Sequence, residues 1–226
     1  MDGAALVSSC PILPGESFTY EWVADAAGTF WWHSHFDSQY VDGLRGPIVI
    51  VDPSDPYGSY LGFFDEERVV FLEDWYQKSV SENPGARTPV ADAGLINHKP
   101  SCSLLDNLAA STTKATAADW RGSCEKLSFK QGSRYKLRII NGAGHANYRV
   151  EIPSHRMRII EADSTILDGN MTVDSLFIAA GQRYSVIVLA DQPVGRYLFR
   201  ASAGSFAHNL GIRGTPEGLR EPKTFC

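Results

Sequence analysis

The sequence predicts an all-β chain of Greek-key β-sandwich or barrel type, and three observations predict it. Helical periodicity is scarce along the 226 residues, and short runs rich in β-branched and aromatic residues dominate instead. Turn signals such as Pro14-Gly15, Gln131-Gly132 and Asp168-Gly169 separate those runs at a spacing typical of sandwiches and barrels. Runs such as Tyr184-Ser-Val-Ile-Val-Leu-Ala190 alternate poorly, as expected of strands buried on both faces.

In chain order, the expected strands are Ser17–Val23, Gly28–His35 and Gly46–Val51, then Arg68–Trp75, Glu125–Lys130, Arg134–Ile140 and Asn147–Pro153. Arg156–Ala162, Thr172–Ile178, Tyr184–Ala190 and Gly195–Ala201 complete the set. A break falls at Asp52-Pro-Ser-Asp-Pro-Tyr-Gly58, where two prolines, two aspartates and a glycine cannot continue a sheet. Only three strands precede it, and a free-standing sandwich needs roughly seven. Residues 1–52 are therefore expected to be the end of a domain whose beginning lies elsewhere, and residues 60–210 a complete second domain. Ser79–Ser123, rich in Ser, Thr, Ala and Gly, reads as a long loop insertion, and 211–226 as a linker or tail.

Hydrophobic residues make up 43% of the chain and charged residues 21%, a normal balance for a folded protein. The net charge of −5 argues against a nucleic-acid or anionic-membrane partner, because both need a basic face. The apolar stretches are strand-sized, far short of the ~20 residues of a membrane helix. The opening stretch Met1–Gly15 has neither a basic nor an apolar region of the signal-peptide kind. Cys10, Cys102, Cys124 and Cys226 show no C-x-x-C spacing, which disfavours a zinc or redox motif. Their even number suggests disulfides in an extracellular setting. Cys102 and Cys124 are expected to close a local loop of about 20 residues, worth ~3 kcal/mol in a chain-entropy treatment, and Cys10 to pair with a distant partner. Asn170-Met171-Thr172 is an N-glycosylation sequon.

The chemistry-bearing feature is His33-Ser-His35. Side chains two apart on a strand share a face, about 6.5–7 Å apart along the chain. An H-x-H there offers two imidazoles to one metal or to two adjacent metals, and imidazole suits copper, zinc, iron and nickel. Around it, Gly28-Thr-Phe-Trp-Trp-His-Ser-His-Phe-Asp-Ser-Gln-Tyr-Val-Asp-Gly-Leu-Arg-Gly-Pro-Ile-Val-Ile50 closely resembles the second copper motif of multicopper oxidases, laccases above all. Cys10-Pro-Ile-Leu-Pro-Gly15 resembles the family's Q-C-P-I-x-P-G, with Ser9 in place of Gln. Val69–Tyr76, Leu95-Ile-Asn97 (followed by His98 in place of Gly), Tyr135–Asn141, Ile159–Asp163, Val173–Ser175 and Gly181–Ser185 continue the resemblance in order.

The resemblance implies tandem cupredoxin, or plastocyanin-like, domains, the first of them truncated here. It implies a copper-dependent oxidase that takes single electrons from phenolic or similar donors and reduces dioxygen to water at a trinuclear cluster. His33 and His35 would each ligate one type 3 copper, inside an aromatic shell of Phe30, Trp31, Trp32 and Phe36. Asp2 resembles the family's aspartate that assists proton delivery. His145 stands where laccases place an acidic residue that contacts the phenol; the competing reading is an exposed loop histidine. The H-W-H-G motif and both third-domain copper motifs are absent, so only two of the family's eight cluster histidines are present. The rest of the first domain and the third domain would come from the remainder of a longer, secreted polypeptide, and these residues alone would be inactive. A copper-free cupredoxin module for binding or interaction is the alternative, and a ferroxidase or ascorbate-oxidase type stays open. Of the other residues, His155 is expected to be structural, His98 and His208 to be surface residues, and Trp75 and Tyr76 to be core. Arg138 and Arg183 are expected to be strand-end partners of Asp163 or Asp174.

Overall fold

The computed structural model describes residues 3–58, 62–79, 82, 91–100, 125–204 and 224–225. Its strands are β1 (Gly28–His33), β2 (Arg45–Ile50), β3 (Glu66–Trp75), β4 (Ala93–Ile96), β5 (Lys99–Pro100), β6 (Arg134–Asn141) and β7 (Asn147–Glu151). These are followed by β8 (Met157–Ala162), β9 (Thr165–Ile166), β10 (Thr172–Val173), β11 (Ser175–Ile178), β12 (Arg183–Leu189), β13 (Arg200–Gly204) and β14 (Thr224–Phe225).

Two sheets enclose the main core. The larger runs β10-β8-β12-β6-β3-β4-β5, with β9 on β8; the smaller runs β11-β7-β13-β14. Alternation along β6 explains how the larger sheet is buried on both sides. Tyr135, Leu137 and Ile139 face the core with Val70, Leu72, Val186 and Val188, against Tyr148, Val150, Leu176 and Ile178 of the smaller sheet. Lys136 and Arg138, on the opposite face, are buried too. That outer face is covered from earlier in the chain. Tyr57 and Phe64 pack there on Ile160 and Ile187, so the Pro- and Asp-rich break is docked onto the sheet. Asp55 reaches the Lys136 ammonium at 3.1 Å.

β1 and β2 form an antiparallel ribbon with His33 opposite Arg45. A polar network bolts it to the outer face. The Thr29 amide and hydroxyl donate to the Glu161 carboxylate at 2.6 and 3.3 Å, and Arg138 pairs with both Glu161 (3.2 Å) and Glu67 (2.9 Å). Arg138 is thus a mid-strand residue of a buried network and not the strand-end partner of Asp163 or Asp174. Arg183 does pair with Asp163, at 3.2 Å.

Other expectations are corrected. Ser17–Val23 is exposed and forms no strand, because it has nothing to pair with among the described residues. The expected Thr172–Ile178 strand is split at Asp174 into β10 and β11, which belong to different sheets. The stretch read as a pure loop insertion contains β4 and β5, whose turn puts Asn97 and His98 at φ of 50° and 61°, and the tail contains β14. Trp75 is 38% exposed and not core. Cys10 is exposed and has no disulfide partner among the described residues, which hold no other cysteine. Asp2, Cys102, Cys124 and His208 lie outside the described residues.

Candidate metal centre

The end of β1 and the turn after it present a row of rings. Strand alternation puts Trp31 and His33 on one face, and their rings stack at 4.4 Å. The regular strand stops at His33, yet His35 continues the row, with ring centroids 4.5 Å from His33 and planes 15° apart. Two near-parallel imidazoles at that separation do not converge on one point. That geometry suits one donor to each of two neighbouring metals better than two donors to one. Tyr40, from the following turn, closes the side of the row at 5.1 Å from His33 and 6.5 Å from Trp31.

The turn from Ser34 to Leu44 is tied at both ends. The Ser34 amide donates to the Leu44 carbonyl at 3.0 Å. Its hydroxyl donates to Gln39 Oε1 at 2.7 Å and accepts from the Phe36 amide at 3.1 Å. His33 Nδ1–H donates to the Ser34 carbonyl at 3.1 Å. That bond fixes the tautomer and leaves the lone pair on Nε2, the arrangement seen in ligating histidines. Neutral nitrogen donors of this kind fit copper, and this is the structural ground for the copper assignment. Among the described residues no group of three or more His, Cys, Asp or Glu side chains could hold a metal, so a metal at this pair would need further ligands from elsewhere.

The expected aromatic shell is split by the pleat. Trp31 lies on the histidines. Phe30 faces the other way, beneath the Arg183 guanidinium at 5.6 Å. Trp32 lies over Gly46, where a Cβ would sit 2.6 Å from the indole Nε1, so any side chain there would push the indole aside. Phe36 is exposed. Sequence reasoning passed over Tyr40, because nothing in the spacing says that the turn folds it back onto β1.

It also passed over Arg45. The guanidinium of Arg45 is buried opposite His33 and bonds the Glu73 carboxylate (3.4 Å), the Asp74 carboxylate (3.3 Å), and the carbonyls of Gly142 (2.6 Å) and Asp74 (2.8 Å). Glu-Asp inside the otherwise apolar run of β3 was the available signal, since two buried carboxylates demand a cation. Asp74 in turn accepts from the amides of Gly144 (3.0 Å), His145 (2.9 Å) and Ala146 (3.4 Å) and from the Tyr76 hydroxyl (3.0 Å). The His145 side chain is exposed at the tip of that loop. A Cβ on Gly144 would lie 2.8 Å from Val41, so the loop touches the turn that carries Tyr40.

Burial and the Asp74 charge push the Tyr76 phenol well above its ordinary range, and burial does the same to Tyr148. His155 is buried, with Nδ1–H donating to the Pro153 carbonyl at 3.1 Å and its ring edge-on to Tyr197 at 4.9 Å, as expected of a structural histidine. His98 lies at the surface against Glu73 at 3.0 Å.

Two family profiles match the chain, both described as multicopper oxidase, over residues 66–216 and 1–55. The chain is 42% identical to Laccase-4 of Trametes villosa over 93% of its own length, and 43% identical to Laccase-2 of Thanatephorus cucumeris over 88%. It spans only 38% and 33% of those proteins. Among solved structures, a laccase from Botrytis aclada superposes with a TM-score of 0.75 at 32% identity, covering 90% of this chain and 36% of that one. Fet3p, described as a multicopper oxidase that functions in iron import, superposes with a TM-score of 0.72 at 26% identity, covering 99% and 38%.

Proposed function

The chain belongs to the multicopper oxidase family, and from that premise we propose that it is the part of a laccase-like oxidase that contributes one pair of type 3 copper ligands. In this reading residues 1–52 end the first plastocyanin-like domain, 60–210 form the second, and 211–226 lead onward. The first and third domains of the parent polypeptide supply the other ligands. The parent oxidises phenolic or similar donors one electron at a time, reduces dioxygen to water and is secreted. Copper, when bound, stores single electrons so that dioxygen receives four without release of partly reduced oxygen.

In the same reading the chain's own residues take the following roles. His33 and His35 each hold one metal through a neutral imidazole. The Ser34 carbonyl fixes the His33 tautomer, and Trp31 and Tyr40 pack on the His33 ring, while His35 is exposed. Asp2 is assigned to proton delivery. His145 is assigned to a hydrogen bond with the donor hydroxyl, on a loop whose amides Asp74 holds.

The observation that carries the proposal is the near-parallel His33–His35 pair with the Nδ1–H of His33 already engaged. It is tested in the longer parent protein by metal analysis of His33→Ala and His35→Ala, with circular dichroism to confirm folding. Each substitution is expected to lower copper content and abolish the near-ultraviolet absorption of a coupled copper pair, while the blue type 1 band persists. Unchanged copper stoichiometry in either folded variant removes the ligand assignment. A parent that binds no copper at all leaves the copper-free module instead. The match to Fet3p favours an iron-oxidising member as the second reading, and comparing Fe(II) with a methoxyphenol as donors separates the two.

A further inference from the structure

Two stretches with strand character lie without backbone partners among the described residues on facing rims of one groove. Residues 125–130 run without turn or bend and alternate in burial: Glu125, Leu127 and Phe129 are half-buried, and Lys126, Ser128 and Lys130 are exposed. Leu127 and Phe129 pack on the main core. The stretch therefore has the pleat of a strand, yet among the described residues 125–129 make no backbone–backbone hydrogen bond. Opposite it, residues 196–199 run straight into β13, also without backbone partners among the described residues. Between the two lies a cavity of about 680 Å³ lined by Leu127, Phe129, Ile152, His155, Tyr197 and Phe199, among others.

β14 indicates what fills it. One edge of β13 is taken by β7, and the other by β14, antiparallel, with Ala201 opposite Phe225 and Ser202 opposite Thr224. In that register a strand continuing past Phe225 runs beside Arg200, then Phe199, Leu198 and Tyr197, and so enters the groove. We propose that the groove is a strand-acceptor slot, filled by an extended segment that runs on from β14 and pairs with 196–199 on one side and 125–130 on the other. That the segment belongs to the same polypeptide rests on the reading of the chain as part of a longer oxidase; the slot itself does not.

The chemistry of the occupant follows. Backbone donors and acceptors on both rims call for an extended chain. Leu127, Phe129 and Phe199 call for apolar residues on the inward row. Lys126 and Arg196, both exposed on the rims with no ion pair among the described residues, favour an acidic residue on the outward row. A small aromatic ligand would cover the rings and leave both rims of backbone to water.

The test compares the 226-residue chain with a version lengthened after Cys226 by about eight residues, alternating Val and Thr with one Glu, enough for a strand of ~5–6 residues. Amide hydrogen exchange read by mass spectrometry is expected to slow ~10-fold or more in both 125–130 and 196–199. The same extension with prolines at alternate positions is expected to leave both unchanged. Unaltered exchange on either rim overturns the proposal, as does equal protection already present in the unextended chain. Protection that appears only with dimerisation in sedimentation also overturns it, because a second copy is then the occupant. The readout needs no copper, so its failure is distinct from failure of the oxidase reading.

Discussion

Arg45 is one cation set between two buried carboxylates, and its removal leaves Glu73 and Asp74 buried without their shared guanidinium. Arg45→Met is expected to lower stability by about 3–5 kcal/mol, read as a shift in the urea midpoint. Arg45→Lys is expected to recover only part, since one ammonium cannot reach four acceptors in a fixed fork. The tyrosines beside this cluster give a second test. Burial raises the phenols of Tyr76 and Tyr148 in the folded state, with Asp74 adding to it. A group whose folded value is raised contributes stability fully present below its unfolded value of about 10. That contribution is lost as pH rises toward the folded value. Alkaline titration at the tyrosinate band is expected to show two phenols ionising only as the fold opens, and one fewer in Tyr76→Phe; ionisation of all of them in the intact fold would contradict this. The histidine pair was legible in the sequence because spacing and neighbours travel together in one short motif. The role of Arg138 was not, because alternation says that it leaves the core face but not that another segment covers the face it joins.

The β1–β2 ribbon is a two-stranded element of the kind that is marginal alone, and it holds its histidines in place through what it leans on. Gly46 is part of that support. Gly46→Ala forces the Trp32 indole aside, at an expected cost of about 1–3 kcal/mol, checked by thermal unfolding, and it should increase solvent quenching of Trp32. The long strands β3, β6 and β12 were legible because their apolar runs admit no other reading. The short ones were not: β4, β5 and β9 carry too few residues for a pattern. Asp174 sends β10 and β11 to different sheets within a run that reads as one strand. Glu125–Lys130 has the pattern and lacks the partner, which a pattern cannot reveal.

Across the whole molecule, the contacts that hold the β1–β2 ribbon come from far along the chain. Thr29 is anchored by Glu161, 132 residues later, and β3 lies parallel to β6, Glu66 opposite Tyr135. Contacts of such separation form slowly, because a long loop must close before they return any stability. The ribbon can bend back on itself early, but its seat on the larger sheet exists only after β6, β8 and β12 have assembled. Pulse-labelled exchange during refolding is expected to protect 28–33 and 45–50 no earlier than 134–141; earlier protection of the ribbon would show that it stands alone. On this order the stacked imidazoles reach their final arrangement only once the sheet beneath them is finished. Under the proposed ligand assignment, metal loading then belongs to a late stage of folding, after the seat of the ribbon has formed.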